Sequence, residues 1–143
     1  MTQLKEDHII QQVLAASHTI AVVGLSADPE RPSYEVAQYL QIQGYRILPV
    51  NPTLSQVLGV QAYPDLLAIG EPVDVVDIFR RSEAVPPIVE QAIQIRAKAV
   101  WMQKGVRNEE AAALARAAGL LVVMDRCMMV EHRRLVAQGI MPD

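Results

Sequence analysis

Thr19-Ile20-Ala21-Val22-Val23-Gly24-Leu25-Ser26, running on through Asp28-Pro29-Glu30-Arg31-Pro32 to Ser33-Tyr34, is the stretch that decides the fold. Its first five residues are a continuous, largely β-branched apolar run. Such a run predicts a strand buried on both faces, as in a parallel sheet. The run stops at Gly24, and Ser33 has the chemistry of a helix N-cap, so a helix is predicted over Tyr34–Gln43 with Gly44 closing it. A strand that ends on a glycine and feeds a helix N-terminus leaves backbone N–H groups at the carboxyl end of the sheet, a place suited to phosphate. Gly24 lets a ligand approach the backbone, Ser26 adds a hydroxyl, and Arg31 adds a fork of donors.

Outward from this stretch, strand and helix patterns alternate. Before it, Ile9, Ile10, Val13 and Leu14 share one face of a predicted helix, Asp7–Ser17, packed on the sheet or on a partner chain. After it, Tyr45–Val50 reads as a second strand ending at Asn51-Pro52, and Pro49 within it suggests a bulge or a gap in pairing. A brief strand near Val60–Ala62, a turn at Tyr63-Pro64-Asp65 and a helical turn at Leu66–Ile69 follow. Val73–Phe79 and Ala97–Met102 read as strands, with a helix at Glu83–Ile95 between them whose first turn holds Pro86 and Pro87. Asn108–Ala118 is an alanine-rich helix capped by Gly119. Leu120–Met124 is the last strand, Met128–Gln138 a closing helix, and Gly139–Asp143 a frayed tail. The alternation predicts a single α/β domain with a parallel sheet of five or six strands and helices on both faces.

Composition narrows the function. At 143 residues the chain has the length of one domain, and its 51% hydrophobic content with only 4% aromatics implies an aliphatic core. A net charge of −3 argues against a general nucleic-acid binder, which needs Lys and Arg to neutralise phosphates. No apolar stretch is long enough to span a membrane, and Met1–Asp7 lacks the pattern of a signal peptide. Cys127 is the single cysteine, so no internal disulfide forms and a reducing cytoplasm is the expected compartment.

In a parallel sheet the strand carboxyl ends share one edge, and ligands bind there. The residues that follow the strands are Gly24, Ser26 and Arg31; Asn51 and Pro52; Arg80 and Arg81; Gln103, Lys104 and Gly105; and Asp125, Arg126 and Cys127. An acidic chain thus gathers cations on the ligand-binding edge, which points to a phosphate-bearing ligand. The turn has one glycine, not the three of the dinucleotide fingerprint, and the position that usually carries a ribose-binding acid holds Asn51. No Walker A loop is present. Arg80 and Arg81 are consecutive and point apart, so at most one is expected to touch ligand. Asp125, Cys127, Glu131 and His132 are close in sequence, but a structural helix is favoured over a metal site. Arg126 and a following helix N-terminus are features that favour a thiolate at Cys127.

Ala21–Ser26, Arg31-Pro32-Ser33-Tyr34, Pro49-Val50-Asn51-Pro52, Val75–Arg81, Ala99–Gln103 and Met124-Asp125-Arg126-Cys127 together resemble the stand-alone CoA-binding proteins, in order and over nearly the whole chain. These proteins are similar to the N-terminal domain of the succinyl-CoA synthetase alpha subunit, so the resemblance implies a single Rossmann-like domain. The resemblance implies coenzyme A or an acyl-CoA as ligand. It implies that the Gly24-Leu25-Ser26 turn and Arg31 face phosphate, that Asn51 and Pro52 lie beside the nucleotide, and that Phe79 and the arginines after it border the adenine or pantetheine path. Ser33, Gln103 and Cys127 complete the candidate set, and a mixed disulfide between Cys127 and the CoA thiol lies within its chemistry. The synthetase relays phosphate through a histidine of a second domain. Here the histidines are His8, His18 and His132, none in a matching context, so the ligase reaction is not implied and binding without catalysis is expected. The alternatives are an oxidoreductase-like domain binding NAD(P) and an interaction module that has lost its ligand. A homodimer or another protein partner stays open.

Overall fold

The computed structural model describes residues 2–141. Five parallel strands form one sheet: β1 (Thr19–Val23), β2 (Arg46–Val50), β5 (Val75–Ile78), β6 (Ala99–Met102) and β7 (Leu121–Val123), in the order β2-β1-β5-β6-β7. A two-residue hairpin, β3 (Gln56–Val57) against β4 (Val60–Gln61), stands apart as a second sheet. The five main strands are thus the parallel sheet the sequence predicts, and the brief strand near Val60 is half of that hairpin.

All five residues of β1 are buried, as its unbroken apolar run requires. Alternate residues of the central strands feed two core layers. Ala21, Val76, Ile78 and Val100 pack under α3 (Val85–Gln94) and α4 (Glu109–Ala117). Ile20, Val22, Val75 and Trp101 pack under α1 (Thr2–Ala16), α2 (Pro32–Ile42) and α5 (Met128–Ala137). The sheet is covered on both sides, which is what an all-parallel arrangement demands.

Helix boundaries move by a few residues for local reasons. The first helix begins at Thr2, earlier than the periodicity suggests. The second starts at Pro32 with Arg31 as its N-cap, so Ser33 is not the cap; it lies inside the first turn, and its hydroxyl instead accepts a hydrogen bond from the Ser26 amide at 3.0 Å. Residues 82–84 form a 3₁₀ turn ahead of α3, which puts Pro86 and Pro87 in that helix's first turn, where a missing N–H is harmless. Asn108 caps α4 by accepting from the Ala111 amide at 2.9 Å. Ile140 donates back to the Leu135 carbonyl at 2.9 Å, so the start of the tail closes α5 and does not fray, while residues 142 and 143 fall outside the described residues.

Pro49 makes no bulge. The register of β2 against β1 runs unbroken from Arg46 opposite Thr19 to Val50 opposite Val23. β2 is an edge strand, and the Pro49 carbonyl faces outward, accepting from the Tyr63 amide at 2.9 Å. A residue's N–H and C=O point to the same side of a strand, so the N–H that proline lacks is one the sheet never needed.

The strand order reverses between β1 and β5. The chain moves from β1 to β2 on one side, then returns to place β5 on the other. Ligands bind open α/β sheets in the crevice beyond the strand ends at such a reversal.

Candidate functional site

The crevice is present at that reversal. A cavity of about 520 Å³ opens above the carboxyl ends of β1, β5 and β6, on the face covered by α2 and α5. Gly24, Ser26, Arg31, Pro32, Ser33, Val36, Phe79, Gln103, Lys104, Val106 and Cys127 line it. Its volume falls in the usual range for small-molecule sites, roughly 300–1,000 Å³.

Gly24 sets the geometry of the crevice. Its φ is +87°, and a Cβ there would run into the carbonyl of Phe79 and crowd the Arg80 side chain. The glycine therefore lets the loops after β1 and β5 touch, in addition to any access it gives a ligand. The Gly24 amide donates to the Val50 carbonyl at 2.9 Å, and the Ser26 amide to Ser33 Oγ at 3.0 Å. Neither amide is available to phosphate. The free donors are elsewhere: the Leu25, Ala27 and Ser33 amides have no protein partner among the described residues. Pro32 at the first position of α2 has no N–H, so Ser33 supplies that helix's first open amide.

The cations divide sharply. Arg31 and Lys104 are exposed at the cavity and form no salt bridge among the described residues, although the Lys104 charge helps to lower the Asp125 carboxyl. Arg126 turns the other way, reaching Glu6 at 2.7 Å and Glu131 at 3.7 Å. Cys127 is half-buried in the cavity wall and occupies the N-cap position of α5, but Arg126 is drawn to those carboxylates instead.

The other candidates scatter. The Leu25 side chain is fully buried in the core, leaving only its backbone for a ligand. Asn51 donates to the Leu25 carbonyl at 3.0 Å and accepts from the Thr53 amide and hydroxyl at 3.0 and 2.8 Å, so it braces the two loops and lies outside the cavity lining. Pro52 and Arg80 line a second, smaller cavity of about 200 Å³ against α3, with Val23, Val50, Leu66 and Ile88. Arg81 is exposed, precedes the 3₁₀ turn and lines neither cavity.

Near Cys127 the polar side chains diverge. Asp125 accepts from the Gly105 amide at 2.7 Å, and that bond holds its carboxyl below the usual range. Glu131 takes Arg134 at 2.9 Å, and His132 Nδ1 meets the Tyr39 hydroxyl at 2.7 Å. Among the described residues no group of His, Cys, Asp and Glu converges as a metal site.

Sequence reading missed Pro32, Val36 and Val106 as lining residues, since each belongs to a helix start or core pattern of its own, and it put Lys104 on the edge as a solvated charge and not in the site. It also missed Asp77. This carboxyl is fully buried in β5; Oδ1 accepts from Gln103 Nε2 at 2.6 Å and Oδ2 has no partner among the described residues. Burial pushes it up to about 7, against the lowering effect of the Gln103 bond. The signal was available: an acid in the middle of Val75-Val76-Asp77-Ile78 interrupts a buried strand.

Fold and cleft define a Rossmann-like α/β protein with a crevice at its switch point. More narrowly, the chain belongs to the CoA binding domain family, whose model matches residues 18–133. It is 44% identical over 123 residues to the uncharacterized protein YneT of Bacillus subtilis strain 168, covering 86% of this chain and 91% of that protein. It is 30% identical over 94 residues to the ADP-forming acetate–CoA ligase II of Archaeoglobus fulgidus, covering 64% of this chain but 14% of the ligase. A solved structure of a hypothetical protein from Pyrococcus horikoshii OT3 superposes with a TM-score of 0.88 at 44% identity, covering 91% of this chain and 92% of that one. No helix among the described residues is long and apolar enough to cross a membrane.

Proposed function

We propose that this protein binds coenzyme A or an acyl-CoA in the crevice between β1 and β5, as a binding module without chemistry of its own. The observation that carries the reading is the pair of cations without a salt bridge among the described residues, Arg31 and Lys104, on one cavity with the open Ser33 amide at the start of α2. Donors without protein acceptors are suited to phosphate oxygens, and the helix dipole adds to them. The phosphates lie against Arg31, Lys104 and the amide of Ser33; Ser26 and Phe79 flank them. The second cavity, reached past Arg80, lies on the same sheet edge and extends the surface open to a long ligand. Family membership and the ligase relative, whose name specifies CoA, support this ligand over other phosphate-bearing ones. The position that would read a ribose in an NAD-binding domain holds Asn51, whose amide is tied to Leu25 and Thr53.

Calorimetric titration of the purified, reduced protein with CoA, acetyl-CoA, NAD, NADP and ATP tests the proposal. Selective binding of the CoA compounds is expected. Selective NAD or NADP binding overturns it in favour of an oxidoreductase-like domain, and a folded, ligand-free protein that binds none of them is an interaction module.

A further inference from the structure

The buried Asp77 carboxyl lies beneath the cavity, joined to it through Gln103. The Gln103 main chain is fixed on both sides, its amide donating to the Ile78 carbonyl at 3.3 Å and its carbonyl accepting from the Val106 amide at 2.8 Å. Its side chain is almost wholly buried, yet it lines the cavity. Nε2 is directed down to Asp77 Oδ1 at 2.6 Å. Oε1 has no protein partner, but the one buried, unpartnered side-chain oxygen or nitrogen among the described residues is Asp77 Oδ2. Gln103 Oε1 is therefore not sealed in; it opens onto the cavity.

We propose that Gln103 reads the ligand at the cavity floor and that the protonation of Asp77 decides which end of the Gln103 amide the ligand meets. An ionised Asp77 only accepts, so Gln103 must give it Nε2–H and show Oε1 to the ligand. A protonated Asp77 donates its O–H to Oε1 once the amide turns over, and Nε2–H then faces the cavity. The first state pairs with a ligand group that donates: an amide N–H, hydroxyl or thiol of the pantetheine arm. Phosphate, which needs donors, belongs with Arg31, Lys104 and the Ser33 amide. A donating ligand group selects the ionised state, so binding drives the Asp77 proton into solvent. This inference rests on the CoA reading above.

The surroundings leave Asp77 free to respond. Its register neighbours are Val22 and Trp101. The helices over this face carry Tyr34, Glu35 and Tyr39 on α2, Cys127 at the head of α5, and Glu131, His132, Arg133 and Arg134 on α5; α1 adds Lys5, Glu6, Asp7 and His8. Glu131, Glu6 and Asp7 are held by Arg126 and Arg134, and His132 by Tyr39. Burial and the Gln103 bond are the influences on the Asp77 carboxyl, which titrates at about 7.

Two measurements test the proposal. In the ligand-free protein, the Gln103 side-chain amide signals, followed by NMR from acid to alkaline pH, are expected to move with a midpoint near neutrality and to stay still in Asp77→Asn. Calorimetry with CoA on either side of neutrality is expected to show affinity rising about tenfold with pH in the native protein, for a ligand bond equal to one pKa unit. In Asp77→Asn that proton-linked part disappears. The CoA phosphate titrates in both proteins, so the difference between them isolates Asp77. Gln103→Leu serves as the second variant and is expected to lose the same part. Static Gln103 signals, or matching pH profiles in the native protein and both variants, overturn the proposal. Absence of CoA binding at every pH overturns the CoA reading and this inference with it, an outcome distinct from binding without proton linkage.

Discussion

Two regions of this protein handle charge in opposite ways. In the seam between α1 and α5, every arginine that meets a carboxylate is held by it: Arg126 by Glu6 and Glu131, Arg134 by Asp7 and Glu131. At the cavity, Arg31 and Lys104 form no salt bridge among the described residues, and the carboxyl beneath them, Asp77, has an oxygen with no hydrogen-bond partner there. Both regions follow strand ends, and by position alone Arg126 and Arg31 are equivalent. What separates them is whether the fold has already supplied the counter-charge. Paired charges hold helices together; unpaired ones are left for something else.

The strongest way to break the comparison is to close the cavity. Gly24→Ala forces a side chain into a left-handed backbone and into the Phe79 carbonyl. We expect a loss of roughly 3–4 kcal/mol from conformational strain and overpacking together, read by urea unfolding. The seam should keep its pairs, so the loss is local to the cavity side.

Asp77 gives the next effect, with a sign that differs from that of a salt-bridged acid. Its folded-state value of about 7 lies above the ordinary 3.8, so the folded protein holds a proton that the unfolded chain has released. Stability is then lost as pH rises from about 4 to about 7 and stays low above that. Asp77→Asn should remove this dependence and raise stability on the alkaline side by roughly 3–4 kcal/mol. Thermal unfolding across that range checks it; a pH-independent native protein would show the carboxyl to be unperturbed.

Arg31→Ala should weaken CoA binding by roughly 1.5–3 kcal/mol, the worth of a hydrogen bond to a charged group, with the unfolding transition unmoved. Arg126→Ala should do the reverse at smaller scale. It leaves CoA affinity unchanged and lowers stability by about 1 kcal/mol, since Arg134 still neutralises the buried Glu131. If Arg126→Ala weakened CoA binding as much as Arg31→Ala, the division between paired and unpaired cations would carry no functional meaning.

The fold was legible because its signals are local. The apolar run Thr19–Val23, the glycine after it and the later alternation of strands and helices suffice for a doubly wound sheet. Strand order and the choice of face are not local, and the site depends on both. Gly24, Ser26, Arg31, Ser33, Phe79, Gln103 and Cys127 converge on one cavity, as their places after successive strands suggest. Asn51 and Leu25 do not, because one is absorbed in bracing two loops and the other in the core. Arg80 and Arg81 part as consecutive residues should, one toward the smaller cavity and the other to solvent. The orphan oxygen of Asp77 was out of reach, since it depends on which side chains a strand meets across the sheet and not on anything beside it in the chain.

Pro49 has one more consequence. β2 ends the sheet, and exposed sheet edges invite strands of other molecules to add on. Here the outward backbone at the carboxyl end of β2 is already taken: the Pro49 carbonyl accepts from Tyr63, and the Asn51 amide donates to the Tyr63 carbonyl, each at 2.9 Å. Proline removes the one remaining donor between them. The end of the edge nearest the proposed ligand therefore offers an added strand neither a free donor nor a free acceptor at Pro49, so the strand beside the crevice is a poor template for another molecule.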